Sequence, residues 1–202
     1  MFTKFTSIQT NTIRGNIIEL LTAQLLRNFG YHVTPFGFEH LAQDYLNRCY
    51  LPTADASLWE GDTYQFLRRL PDLLVQDPGT SELILVEVKF RKDGILRLKD
   101  LREYQAPMVI ILVSPRKIQC ATLAEYKSGV RLDESTNRLL HSRTDLFRLF
   151  KPRKVKQLEW ELIEYARALL EATTLPTSKD ILGPMTSPEW SFQHPKYDDK
   201  TT

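Results

Sequence analysis

The chain has 202 residues, of which 42% are hydrophobic and 26% charged, and its formal net charge is +2. That balance excludes global disorder, a collagen-like fibre and a disulfide scaffold, and it fits one globular domain with an appended tail. It also leaves no room for a membrane span, which needs roughly 18 apolar residues in a row.

The first predicted element is a helix over Thr12–Phe29, capped by Asn11 or Thr12 and stopped by Gly30. Its apolar residues cover more than one stripe, so it is expected to be largely buried. A short strand follows over Tyr31–Phe36. Residues 37–66 read as an insertion, with a possible helix over Phe38–Cys49 and a loop over Tyr50–Gly61. Two strands then flank a turn: Leu70–Gln76 and Glu82–Phe90, separated by Asp77-Pro78-Gly79-Thr80-Ser81. The apolar spacing of Ile95, Leu98 and Leu101 predicts a helix over Ile95–Gln105. Met108–Val113 is wholly apolar, which suits a strand buried on both faces. Ile118–Leu123 is a further candidate strand, and Ala124–Leu149 reads as mixed helix and loop. Val155–Ala172 is an amphipathic helix. From Thr173 onward, prolines at 176, 184, 188 and 195 argue against regular structure, and Trp190, Phe192 and Tyr197 are expected to pin this tail to the body, with docking to a partner as the alternative.

The opening residues show no signal-peptide core, and Cys49 and Cys120 have no metal-ligand spacing. Reduced thiols in a cytoplasmic protein are expected. Two clusters are basic: Lys89–Arg102, with six basic and two acidic residues, and Arg148–Lys156, with five basic residues and no acid. Both fit a polyanionic partner, with solvated surface as the alternative. Candidate phosphate contacts are Arg91, Lys92, Arg148, Lys151, Arg153, Lys154 and Lys156. The lysines near the start of the last helix oppose its dipole, which weakens a pure stability role.

The strand Glu82–Phe90 carries Ile84, Val86 and Val88 on one face and Leu83, Leu85, Glu87 and Lys89 on the other. Charges on so apolar a strand are costly unless paired or bound to an ion. If Asp77 faces Glu82 across the turn, Asp72 falls opposite Glu87, with Cβ atoms about 5 Å apart. A one-residue slip would separate them. Two carboxylates and a lysine would then meet at one end of a sheet. Such a pair suits a hard divalent cation, and the ammonium of Lys89 could hold a water or stabilise a developing anion. A plain ion pair between Glu87 and Lys89 at a strand end is the structural alternative.

Pro71-Asp72 followed by Glu87-Val88-Lys89 resembles the signature of the PD-(D/E)XK nuclease superfamily. The resemblance covers about residues 12–113 and extends to the element order: helix, strand, strand, strand, helix, strand. It implies an α/β restriction-endonuclease-like core with a mixed central sheet flanked by helices, a C-terminal helical extension and an irregular tail. On that reading residues 1–172 form the nuclease-like domain, with a core of about 12–125. The resemblance also implies that Asp72, Glu87 and the Val88 carbonyl bind magnesium, for which manganese can substitute, and that Lys89 supports the attacking water. Glu19 matches a helix glutamate of many members and is a candidate ligand or supporting acid; on a helical wheel it lies among Gly15, Thr22, Ala23 and Leu26, the small residues letting that face approach the sheet. Tyr104 and Gln105 are accessory candidates. The implied activity is metal-dependent hydrolysis of phosphodiester bonds, with DNA the expected polymer and no membrane partner. A non-cleaving binding subunit of the same fold, working with a partner protein or as a homodimer, stays open. No His pair, nucleophile motif, phosphate loop or GxGxxG occurs, so serine or cysteine hydrolysis and nucleotide-driven chemistry are not supported.

Overall fold

The structure, a computed structural model, describes residues 7–37, 69–97, 101, 104 and 106–173. The predicted helix at 38–49, the rest of the insertion, Cys49, Gln105 and the tail from 174 lie outside the described residues. The described chain runs α1 (Ser7–Arg27), β1 (His32–Pro35), β2 (Leu73–Gln76), β3 (Leu83–Phe90), β4 (Val109–Val113), β5 (Ile118–Thr122), α2 (Leu123–Lys127), a 3-10 turn (Leu140–Ser142) and α3 (Pro152–Thr173). The five strands form one sheet in chain order. β3 and β4 are parallel; every other neighbouring pair is antiparallel. The sheet is therefore mixed, as expected. No described helix is long and apolar enough to cross a membrane.

The hairpin turn sets the register of β2 and β3. The Asp77 N–H donates to the Glu82 carbonyl at 3.0 Å, and the Asp77 side chain accepts from the Gly79 N–H at 2.8 Å. Ser81 takes the left-handed conformation, φ 59°, that closes the loop. Leu73 then faces Val86 and Gln76 faces Leu83. This is the predicted register, and its continuation puts Asp72 opposite Glu87.

Alternation along the strands builds two apolar layers. Leu73, Val75, Val86, Val88, Ile111 and Val113 face α1 and α3. Ile110, Leu112 and Ala121 face the opposite way, under Leu96, Leu101, Leu123 and Leu132. β4 is buried at all five positions because both layers rest on it. An aromatic cluster fixes α3: Phe147 stacks on Phe150 with ring centroids 4.8 Å apart, and Tyr31 meets both edge-on. The Tyr31 hydroxyl oxygen accepts from the Leu149 N–H at 3.0 Å.

Three expectations change. α1 begins at Ser7, so Asn11 and Thr12 lie inside it rather than capping it, and its burial is one-sided: Ile18, Ala23 and Leu26 are buried while Ile13 and Leu20 are exposed. α3 begins at Pro152, since a proline in the first helical turn has no N–H to leave unpaired. Most substantially, the described residues of 95–105 are not helical. Gly94 takes a positive φ of 66°, the Leu96 N–H donates to the Leu132 carbonyl, and the Leu96 carbonyl accepts from the Tyr126 hydroxyl. Both backbone groups of Leu96 are thus bound outside any helix, and its side chain packs under the sheet.

Cys120 is buried, and burial raises its thiol pKa far above the ordinary value, so it is an inert core residue. Nearby, the buried Arg143 guanidinium donates to the Cys120 carbonyl, Glu125 and Asp145 at 2.9–3.3 Å. Hydrogen bonds from Arg143 hold the Asp145 carboxyl below its usual pKa. Burial works against the Glu125 carboxylate, but the Thr122 N–H, Arg143 and Arg138 outweigh it and lower its pKa too. Both carboxyls have lower pKa values folded than unfolded. Their stabilisation is full above the unfolded values and is lost as pH falls through the folded ones. Arg143→Met is expected to cost about 1.5–3 kcal/mol at neutral pH. Thermal melts across pH should show the variant losing less stability on acidification than the wild type; equal acid sensitivity would refute this account.

Candidate functional site

Asp72 follows Pro71 at the open end of β2, and Glu87 and Lys89 end the second half of β3. The Asp72 Oδ2 accepts from the Val88 N–H at 2.7 Å, so the carboxylate caps β3 where β2 has stopped. Glu87 has 0% exposure. Lys89 forms an ion pair with Glu87 Oε1, and the Tyr104 hydroxyl donates to the same oxygen at 2.6 Å. The second oxygen, Glu87 Oε2, is buried and has no hydrogen-bond partner among the described residues.

A cavity of about 420 Å³ opens beside these residues. Its walls include Asp72, Val88 and Lys89 from the sheet and Glu19, Arg14 and Gly15 from α1, with Arg91 and Lys92 on the chain leaving β3. Glu87 is not part of the wall; its carboxylate is held behind it by Lys89 and Tyr104. Glu19 is buried and close enough to act electrically on Asp72. Gly15 does not allow a close approach to the sheet, as its size suggested. A side chain there would meet nothing within 4 Å, so its bareness widens the cavity.

The electrostatics follow from crowding. Burial pushes the Asp72 carboxyl well above its ordinary pKa, the neighbouring Glu87 and Glu19 charges add to this, and Lys89 and the Val88 N–H only partly offset it. Burial disfavours the Lys89 ammonium, but Glu87 and Asp72 outweigh it and raise its pKa. Lys89 is therefore a firmly held cation.

Protein-family models, curated proteins and solved structures offer no match to this chain. The site stands on its own residues.

Among the described residues, no three histidine, cysteine or acidic side chains are gathered into a ready metal cage. Lys89 and Tyr104 draw Glu87 to one side while the Val88 N–H holds Asp72. The donor set nonetheless fits a hard cation, because Asp72 and Glu87 offer carboxylate oxygens, one of which is buried with no hydrogen-bond partner among the described residues.

The remaining sequence candidates separate in space. Arg91 and Lys92 line the cavity. The Arg148–Lys156 cluster does not. Arg148 lies 3.5 Å from Asp77 and 3.8 Å from Glu82, at the turn end of the hairpin. That is five strand residues, or about 16 Å, from Asp72. Lys154 sits over the Phe29 ring. Lys151, just before α3, and Arg153, in its first turn, are exposed. Lys156 borders a different groove.

Arg14 was missed by sequence reading. The signal was the four-residue spacing of Asn11, Gly15 and Glu19, which marks one face of α1 and makes its neighbours cavity residues. Tyr104 gains importance because its hydroxyl fixes Glu87, and its own carbonyl is held by Lys127 Nζ at 2.9 Å. Tyr104→Phe is expected to weaken divalent-cation binding by about tenfold or more, as loss of a ligand's supporting hydrogen bond does. Calorimetric titration with manganese checks this, and unchanged affinity would remove Tyr104 from the site.

Proposed function

We propose that Asp72, Glu87 and Lys89 form a metal-dependent phosphodiesterase centre of the PD-(D/E)XK nuclease type, acting on DNA. The observation that carries this reading is the fully buried Glu87, with one oxygen unpartnered among the described residues, beside Asp72 and the Lys89 ammonium. A buried, crowded pair of carboxylates is unfavourable for folding alone. It makes sense where a cation relieves it.

On this reading Asp72 and Glu87 would hold magnesium or manganese with the Val88 carbonyl, and Glu19 would support Asp72 from α1. The bound cation would polarise the phosphoryl oxygens and acidify water. The protein supplies the rest. Tyr104 and Lys89 fix one oxygen of Glu87 and so leave the other for the cation. The Lys89 Nζ remains protonated and donates to the attacking water or to the phosphoryl oxygen where negative charge develops. Arg14, Arg91 and Lys92 ring the cavity at positions suited to flanking phosphates.

The test is incubation with supercoiled, linear and branched DNA in magnesium, manganese or chelator. Metal-dependent cutting is the expected result. Salt-sensitive binding with no cutting of any substrate would instead identify a binding subunit.

A further inference from the structure

One stripe of α3 carries Trp160, Ile163, Arg167 and Leu170 at spacings of three, four and three residues. Leu170 lines the candidate site's cavity. Trp160 and Ile163 line a separate groove of about 370 Å³ between α3 and the edge strand β5. Ten helical residues, or about 15 Å, separate Trp160 from Leu170.

The groove has an apolar floor of Ile118 and Ile163 and a cationic margin of Arg116, Lys117 and Lys156; the Lys117 ammonium donates to the Glu134 and Thr136 carbonyls at 2.8 Å, so Lys156 is the margin cation that reaches outward most freely. Trp160 stands on its border with 59% of its surface exposed. The ring is held in place: the Arg167 guanidinium lies 5.4 Å from its centroid, and Arg167 Nε is itself fixed by the Pro115 carbonyl at 2.7 Å. The nearby acids are engaged. Glu159 is buried against His141, Glu134 pairs with Arg116, and Glu164 pairs with Arg167. A fixed, open indole bordered by cations suits a ligand with both flat rings and negative charge. An acidic peptide would use the cations and leave the indole bare.

We propose that this groove binds an unpaired stretch of DNA, one base stacking on Trp160 and the adjoining phosphates meeting Lys156 and the remaining donors of Arg116 and Lys117. The choice of DNA rests on the nuclease reading above. The α3 stripe would then lead the strand between the groove and the cavity.

The test uses the full chain in chelator, so that no cutting occurs. Binding of a fluorescein-labelled single strand of about ten nucleotides is followed by anisotropy. Trp160→Ala is expected to weaken binding by about tenfold or more, and Trp160→Phe to retain most of it. Lys156→Ala should reduce the slope of log affinity against log salt by about 0.7. Quenching of tryptophan emission by the unlabelled strand should largely vanish in Trp160→Phe, although Trp59 and Trp190 remain. Thermal melts confirm that each variant is folded. Equal affinity of wild type and Trp160→Ala overturns the proposal. So does a duplex of the same sequence that binds as tightly and depends equally on Trp160. Tighter binding of the matching RNA overturns the choice of polymer. The two readings fail separately: a wild type that cuts nothing refutes the nuclease but not a Trp160-dependent groove, whereas a cutting enzyme indifferent to Trp160 refutes the groove alone.

Discussion

Replacing Lys89 by alanine is expected to reduce metal-dependent plasmid cleavage by about 100- to 1000-fold, the usual cost of losing one preorganised donor at a site of developing charge. The geometry gives the reason. Among the described residues Lys89 is the cation paired with Glu87, and the nearby Asp72 charge favours its ammonium further. Tyr104 still holds Glu87 in the alanine variant, so cation binding should weaken by no more than about tenfold while turnover collapses. Lys89→Arg should rescue poorly, because the guanidinium is larger and planar and cannot repeat a compact point donor. Nicking rates of supercoiled plasmid in magnesium and manganese, beside calorimetric cation binding, separate the two effects. A variant that cuts at the wild-type rate would end the assignment of Lys89.

Asp72→Asn is expected to stabilise the cation-free protein and to abolish its response to divalent ions. The Asp72 charge is buried beside Glu87 and Glu19, and an amide oxygen can still accept from the Val88 N–H. Each kcal/mol of repulsion removed should raise Tm by about 2–4 °C. In the wild type, a cation at a hundredfold excess over its Kd adds about 2.7 kcal/mol, which is about 5–10 °C of Tm. That shift should vanish in the variant. The pH dependence has a definite sign. The folded carboxyl pKa lies above the unfolded one, so without cation its favourable contribution is full below the unfolded value and is lost as pH rises through the folded one. Cation binding displaces the proton, so the cation-induced shift should grow over that same rise. Scanning fluorimetry in chelator, magnesium and manganese across pH measures both effects. A variant less stable than wild type in chelator, yet equally responsive to manganese, would refute this picture.

The hairpin was legible because its turn is chemically explicit. Asp77 and Gly79 dictate the loop, the loop dictates the register, and the register places Asp72 opposite Glu87. β4 was legible because an apolar run flanked by prolines has few other uses. The stretch at 95–97 was not. Its apolar spacing serves a helix, but it equally serves an extended chain laid under a sheet, and the partner that decides, Leu132, lies far along the sequence. The same limit applied to charge. Arg148 and Lys156 read as one basic patch, yet Arg148 is drawn to the hairpin acids while Lys156 faces a groove beside β5. Arg14 and Trp160 carried no motif. Their importance arises from the surfaces that the folded helices border, which spacing along one helix only hints at.

The bond between Tyr31 and Leu149 joins residues 118 positions apart. Phe29 and Tyr31 find their aromatic neighbours only in Phe147 and Phe150 among the described residues. During synthesis, then, the early helix and strand emerge with a sticky flank that stays uncovered until residues 147–150 leave the ribosome. Over that interval the nascent polypeptide is open to chaperone capture and to association with its neighbours on the polysome.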